Sequence, residues 1–284
     1  PGTRPVKPKT CVVVRFLYIF AGRARWADLA GCLATLISEF NAPEAFAFEV
    51  RLETEQVDIL RGGKAHDLLD PARRQWYLDS VAAGGYTFIF LSPPCNTHSR
   101  AVFANIFGPA PVRDAFHPRG FVNLIPVLRK KAEEANVLHD FAVQVLYKAA
   151  ESSTLAMLEF PEDLGATPRG VPASIWQRAD MKALGNQGFV RGAIYQDKWS
   201  PVSYLKPTGL FSNAVQLRLE EDFHEGWPQL SEDLAYEGPL PRREVTGRGL
   251  IGKAADGSFR TAPTAAYHAA MCMRLAGVFV SALG

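Results

Sequence analysis

Tyr86-Thr87-Phe88-Ile89-Phe90-Leu91-Ser92-Pro93-Pro94-Cys95-Asn96-Thr97-His98-Ser99 is the stretch on which the reading of the fold turns. Tyr86 to Leu91 is short, apolar and aromatic-rich, the pattern of a strand buried on both faces. The residues after it leave the strand through a Pro-Pro pair, which removes two backbone donors and fixes φ, so the loop holds Cys95 in one place. In a doubly wound α/β fold, ligands bind beyond the carboxyl ends of the strands. Cys95 therefore reads as a positioned nucleophile. The competing reading is a small buried hydrophobe, the commoner fate of a lone cysteine.

Working outward, Cys11 to Phe20 is β-branched and aromatic and reads as a central strand. Trp26, Leu29, Ala30, Leu33, Leu36, Ile37 and Phe40 recur at three- and four-residue steps, a helical stripe ending at Asn41 and Pro43. Ala45 to Leu52 is a second strand. Asp70 before Pro71 is an N-cap with proline at the first helical position, opening a helix to about Ala83.

Beyond the cysteine loop, Ala101 to Gly120 has no periodicity and reads as an ordered loop over the site. A long helix, Leu124 to Glu151, precedes strand Thr154 to Phe160. A shorter helix, Ala173 to Leu184, precedes strand Phe189 to Gln196. Strands alternating with helices imply an α/β fold with a mostly parallel sheet. From 200 to 260 short pieces are broken by Pro, Gly and charges, a candidate recognition segment. Thr264 to Ala282 returns to a helix with Tyr267, Met271, Leu275 and Phe279 on one face. The expected division is a basic, Pro-rich tail (1–10), a catalytic domain (11–199), the irregular segment (200–260) and a helix packing back (261–284).

The 284 residues, 48% of them hydrophobic, are enough to bury a large core. Lys+Arg 31 against Asp+Glu 29 leaves a net charge of +2, so any nucleic-acid surface must be local. Cys11, Cys32, Cys95 and Cys272 are scattered, with no C-x-x-C pair and no clustered histidine, which argues against a zinc site or a disulfide framework. No apolar stretch approaches the roughly 20 residues that cross a bilayer. The expectation is an intracellular chain with no metal and no membrane association, and without an initiator Met it reads as a piece of a longer protein.

Pro94-Cys95-x-x-x-Ser99 resembles the Pro-Cys nucleophile motif of DNA (cytosine-5) methyltransferases. Leu158-Glu159-Phe160-Pro161-Glu162 is similar to their second catalytic motif, although the family usually has Asn-Val or Asn-Pro after the glutamate. His66-Asp67-Leu68, Lys206-Pro207-Thr208 and Ala265-Ala266-Tyr267-x-x-x-Met271-Cys272 resemble methyltransferase-like domains of phage and mobile-element polyproteins, so the resemblance runs from Phe16 to Phe279. It implies a Rossmann-like, S-adenosylmethionine-dependent methyltransferase fold and a DNA substrate bound by a monomer, in the nucleus if the source is eukaryotic.

The resemblance assigns Cys95 the thiolate that adds to carbon 6 of cytosine, splitting one difficult step into easier ones. It assigns Glu159 the carboxyl that protonates ring nitrogen 3. Partial burial between Leu158 and Phe160 would raise its pKa toward the operating pH, as general acid chemistry prefers. The alternative for Glu159 is a cap on a helix near Pro161. Arg100, beside Ser99, is the candidate for keeping Cys95 ionised and touching the base.

For the cofactor, the family's Phe-x-Gly-x-Gly turn stands here as Phe20-Ala21-Gly22-Arg23-Ala24-Arg25. The second glycine is missing. Gly22 still supplies a φ > 0 position, while Arg23 and Arg25 would crowd a cofactor or favour an anion such as phosphate. Glu49, Glu53 and Asp58 compete as the ribose acid, and Asp58 in Val57-Asp58-Ile59 is preferred, with Glu53 and Glu55 as a solvated face. Asp67 matches the position that meets the adenine amino group, or is an N-cap. Pro94 completes the cofactor contacts.

Ser99 and Lys206 are the substrate-binding candidates, with Gln196 near the motif that steadies the nucleophile loop. Arg242, Arg243 and Arg248 meet phosphates or solvent. A competing reading from another class is a catalytically silent nucleic-acid-binding module that has lost cofactor affinity, and the altered glycine turn is what separates the two.

Overall fold

Three features of the chain dictate the layers: apolar strands, helices with one apolar face, and connections that return each strand to the same sheet. A computed structural model describes residues 10–42, 48–104, 108–200, 204–243, 253, 255, 257–258 and 262–283. The basic tail at 1–9, the expected start of the second strand at Ala45, and Arg248 lie outside the described residues.

The elements run β1 (Thr10–Ile19), α1 (Leu29–Asn41), β2 (Phe48–Val57), α2 (Ile59–Gly62), α3 (Pro71–Ala82), β3 (Phe88–Leu91), α4 (Arg100–Ala104), α5 (Pro126–Glu151), β4 (Leu155–Pro161), α6 (Ala179–Gly185), β5 (Val190–Tyr195), α7 (Gln196–Trp199), β6 (Pro207–Ser212), β7 (His224–Glu225), β8 (Gln229–Leu230), β9 (Tyr236–Gly238) and α8 (Ala269–Ser281). Local chemistry sets the helix starts. Asp28 caps α1 by accepting from Gly31 N, and Asp70 caps α3 with Pro71 at the first helical position.

The main sheet has the order β2-β1-β3-β4-β6-β5-β7. β1 pairs in parallel with both β2 and β3, and β3 with β4, while β6 lies antiparallel to both β4 and β5. The fold is thus α/β with a mostly parallel mixed sheet. Because β2 lies on one side of β1 and β3 on the other, the chain changes direction between β1 and β3. That crevice is the topological switch point at which such sheets bind ligands.

Successive side chains of each strand enter opposite layers. Phe16, Tyr18, Phe88, Phe90 and Met157 pack toward α1 and α8, whereas Leu17, Ile19, Ile89, Leu91 and Leu158 pack toward α3, α5 and α6. Burial of each such side chain contributes about 1.5–3 kcal/mol. The same alternation sends Glu159 to the α8 face, beside Met157, and Phe160 to the α5 face.

Three expectations are corrected. Residues 207–212 are not part of an irregular segment. They form β6, deep in the sheet, because Thr208, Leu210, Phe211 and Ser212 find burial only between β4 and β5. Trp26 does not belong to the apolar stripe of α1: it precedes the Asp28 cap and is 98% exposed. The second strand continues to Val57, which places Glu53 and Glu55 on β2. Glu53 stays exposed, as expected of a solvated face, and pairs there with Arg15 and Arg51, whereas Glu55 is half-buried and accepts from the Tyr77 and Tyr86 hydroxyls.

Candidate active site

β3 ends at Leu91, and Ser92 is immediately tied to the exit of β1. Its N–H donates to Ile19 O (3.3 Å), its hydroxyl donates to Phe20 O (3.0 Å), and the Tyr18 hydroxyl lies 3.4 Å away. The cysteine loop and the glycine turn are therefore joined at the switch point. His139 of α5 donates from Nε2 to Pro94 O at 2.8 Å; the acceptor is a carbonyl, so that nitrogen carries the proton. His98 N and Ser99 N both donate to Cys95 O at 2.9 Å, closing a tight turn on the cysteine.

His98 and His139 stack edge to face at 4.5 Å, and each meets Phe160 at 5.4 Å. Burial drives both rings toward the neutral form, His139 down to about 4 and His98 well below its ordinary value. This cluster supports the Cys95 loop from beneath.

Leu91, the last residue of β3, pairs with Leu158 of β4, so Glu159, one residue further along β4 and still paired with Leu210 of β6, is the first β4 residue beyond the end of β3, on the side where the Cys95 loop begins. Glu159 is buried, and its Oε2 accepts the Tyr267 hydroxyl at 2.6 Å. Burial raises its pKa, opposed by the Lys206 charge and by the Tyr267 hydrogen bond. Cys95 keeps partial exposure, and its thiol is pushed up to about 11, first by burial and then by the Glu159 carboxylate, with Lys206 opposing. The resting thiol is protonated at neutral pH.

Lys206 immediately precedes β6 with φ +37. Its ammonium donates to Thr264 O (2.6 Å) and lies 5.4 Å over the Tyr267 ring. Gln196 N donates to Leu205 O at 2.8 Å, and Gln196 Nε2 donates to Thr208 Oγ1 at 3.0 Å, bracing the turn that presents Lys206. Cys95, Glu159 and Lys206 are thus brought together electrostatically.

Arg100 is not. Its guanidinium donates to the carbonyls of Leu164, Gly165 and Ala166, each at 2.8 Å, and its charge is not among those that act on the Cys95 thiol. The expected ioniser is a clamp between α4 and the loop after β4, and Lys206 supplies the positive charge instead. Ser99 accepts from Ala101 N with its hydroxyl, an engagement within the first turn of α4.

At the glycine turn, Phe20 and Gly22 both have φ +66. A Cβ on Gly22 would meet nothing within 4 Å, so the space above the turn is open. Asp58 directly follows β2. Its Oδ2 accepts from Gly22 N (2.9 Å) and its Oδ1 from Leu60 N (2.8 Å). Arg61 donates to Gly22 O and pairs with Asp28. Arg25 reaches the Tyr267 carbonyl at 2.6 Å. Asp67 accepts from Leu69 N in a local turn ahead of α3, and Asp70 is the residue that caps that helix. Arg243 pairs with Asp197 over the Tyr195 ring.

Sequence reasoning missed Tyr18, Ser92, His139 and the hydroxyl of Tyr267 as members of this site. The sequence places Tyr267 in the Ala265-Ala266-Tyr267 motif and on a face of the last helix, yet α8 starts only at Ala269, behind the His268 cap, and no local pattern marks which strand the Tyr267 hydroxyl will meet. A second buried cluster lies nearby, where Glu162 pairs with Arg191 and accepts the Tyr236 hydroxyl, and Arg191 stacks 4.7 Å over Trp176. Among the described residues there is no group of three or more His, Cys, Asp and Glu placed to hold a metal ion, and no helix long and apolar enough to cross a membrane. No family model matches the chain, and no curated protein or solved structure matches it.

Proposed function

We propose that this chain is an S-adenosylmethionine-dependent cytosine-5 methyltransferase acting on DNA, with Cys95 as nucleophile and Glu159 as proton donor. The observation that carries the reading is the pairing of β3 with β4, which sets a thiol and a buried carboxyl at one edge of the sheet, beside the switch point, with one lysine acting on both. Addition of Cys95 Sγ to carbon 6 makes carbon 5 nucleophilic, and a proton from Glu159 to nitrogen 3 neutralises the charge that develops there. The target base would have to leave the stack to reach this edge.

The glycine turn suits the cofactor in two respects. The space above Gly22 is open, and each Asp58 oxygen accepts a single N–H, leaving a lone pair for a ribose hydroxyl. When bound, S-adenosylmethionine supplies an electrophilic methyl group. Phe20, Gly22 and Asp58 are the residues that would hold it. One observation favours the silent binding module instead: Gly22 N and Gly22 O are already engaged, by Asp58 and Arg61.

DNA containing 5-fluorocytosine tests the reading, because fluorine blocks the final proton loss and traps the adduct. The wild-type chain is expected to form a covalent complex with this DNA in the presence of S-adenosylmethionine, and Cys95→Ser to form none, with Cys11→Ser as control. Equal methyl transfer by wild type and Cys95→Ser would overturn the mechanism. Calorimetric titration with S-adenosylmethionine separates the alternatives: no binding at millimolar ligand, together with salt-sensitive DNA binding, favours the silent module.

A further inference from the structure

Trp26 is 98% exposed, so its ring adds nothing to the core, yet the backbone on either side of it is fixed. Upstream, Gly22 N donates to Asp58 Oδ2 (2.9 Å), and Arg61 donates to Gly22 O (2.7 Å) and Arg23 O (3.5 Å). Downstream, Asp28 caps α1 through Gly31 N (3.0 Å) and pairs with the same Arg61 (2.8 Å). Gly31 brings α1 up close: a Cβ there would lie 3.0 Å from Trp26 O. A large ring is thus held out in solvent by a braced turn, an arrangement that burial cannot explain.

The turn stands on the substrate side of the site. It follows β1 and is joined to the Cys95 loop by the Ser92 hydroxyl, which donates to Phe20 O. Arg25, next to Trp26, donates to Tyr267 O at 2.6 Å, and the Tyr267 hydroxyl holds Glu159. α1 and α8 pack on the sheet face that carries Glu159, whereas the loop opened by Asp58 leads into α3 on the other face. The corner is also positive. Asp28 is paired with Arg61 and both Asp58 oxygens accept backbone N–H groups, while Arg23 is exposed and makes no hydrogen bond or ion pair among the described residues.

We infer that Trp26 is a stacking platform for an unpaired nucleobase next to the target base, with Arg23 meeting the phosphate attached to it. Nucleic acid as the partner rests on the reading proposed above, and Trp26 narrows it to strands that are single or locally opened. An aromatic ring stacks on any base whose face is free, whatever the sequence, and an adjacent cation supplies the charge that the backbone requires. The adenine of S-adenosylmethionine is the rival occupant. Its ribose acid, Asp58, begins the loop that runs to the opposite face of the sheet, away from α1 and Tyr267.

Binding of labelled DNA to the full chain, followed by fluorescence anisotropy, tests the platform with three oligonucleotides of one sequence: a single strand, a duplex with a central mismatch and a fully paired duplex. Trp26→Ala is expected to bind the first two about 5- to 100-fold more weakly, the usual worth of one stacked base, and the paired duplex as well as wild type does. Trp76→Ala, which removes the half-exposed tryptophan of α3, should alter none of them. Arg23→Gln should lower the salt slope for the single strand by about one. The single strand should also quench the tryptophan emission of wild type, and this quenching should be lost in Trp26→Ala. Equal stability of wild type and Trp26→Ala in urea checks that the variant is folded.

Unchanged single-strand affinity in Trp26→Ala would overturn the inference, and so would an equal loss on the paired duplex, which would mark a groove contact. Quenching by S-adenosylmethionine alone that vanishes in Trp26→Ala would put the cofactor's adenine on the ring and overturn it too. A wild-type chain that binds none of the three oligonucleotides removes the platform together with its partner. The two readings also fail separately: Trp26-dependent binding without methyl transfer leaves the platform in a silent module, whereas adducts with 5-fluorocytosine DNA formed equally by wild type and Trp26→Ala, at equal affinity, keep the methyltransferase and remove the platform.

Discussion

The Tyr267 hydroxyl donates to Glu159 Oε2 across 2.6 Å, joining two buried side chains 108 residues apart in sequence. The segment ahead of the last helix thereby completes a site whose other parts come from the first 210 residues. Tyr267 also lies under the Lys206 ammonium, so a single ring orients the carboxyl and contacts its counter-charge.

Glu159→Gln keeps the shape of the side chain but removes its proton. Methyl transfer is expected to fall by about 10²- to 10⁴-fold, the usual range for a general acid, with S-adenosylmethionine affinity unchanged by calorimetry. A loss of less than about tenfold would assign Glu159 a structural role.

Arg100→Lys tests the clamp. Lysine is a point charge and cannot reproduce the fork that serves three carbonyls. Arg100 is half-buried, which moderates the effect, and the expected cost is about 1–2 kcal/mol of unfolding free energy in urea. Alkylation of Cys95 at alkaline pH should be unaltered in the folded protein, which separates this role from that of a thiol ioniser.

His139 is held neutral by burial, with its pKa down at about 4, below the value of about 6.5 in an unfolded chain. Between these values the unfolded chain binds a proton that the folded chain does not, so stability falls as pH drops through this window and levels off below about 4. His139→Gln retains a donor for Pro94 O without the titration. The wild-type minus variant difference in urea stability is expected to shrink by about 3 kcal/mol from pH 7 to pH 4. Taking the difference cancels the opposite contribution of Glu159 and Glu162, whose raised pKa values favour the fold in acid.

Glu162 and Arg191 are both almost fully buried. Replacing one partner, as in Arg191→Met, leaves an uncompensated charge and is expected to cost about 3–5 kcal/mol. Tyr236→Phe, which removes one hydrogen bond to Glu162, should cost about 1 kcal/mol. Chemical denaturation of each variant provides the check, and a near-neutral Arg191→Met would show that Glu162 takes up a proton instead.

What the sequence by itself determined is what depends on neighbours along the chain. The apolar run through Leu91 made a buried strand, Asp70-Pro71 opened α3, and Met271, Leu275 and Phe279 shared the buried face of α8, because burial pattern and capping are local, although that helix starts behind the His268 cap and leaves Tyr267 ahead of it. The loop of Cys95 and the strand-borne position of Glu159 were legible for the same reason.

Only the tertiary structure decided the rest. Trp26 matched the helical period, yet the Asp28 cap starts the helix later and leaves it in solvent. Residues 207–212 looked irregular beside Pro and Gly, yet they become a core strand once β4 and β5 offer backbone partners on both sides. Arg100 lay next to the right loop, but three carbonyls from 65 residues away hold its guanidinium, and Lys206, far off in sequence, became the charge acting on Cys95. Hydrogen-bond partners and electrostatic neighbours depend on distances in space, and a linear pattern carries those only where the chain folds back on itself within a turn or two.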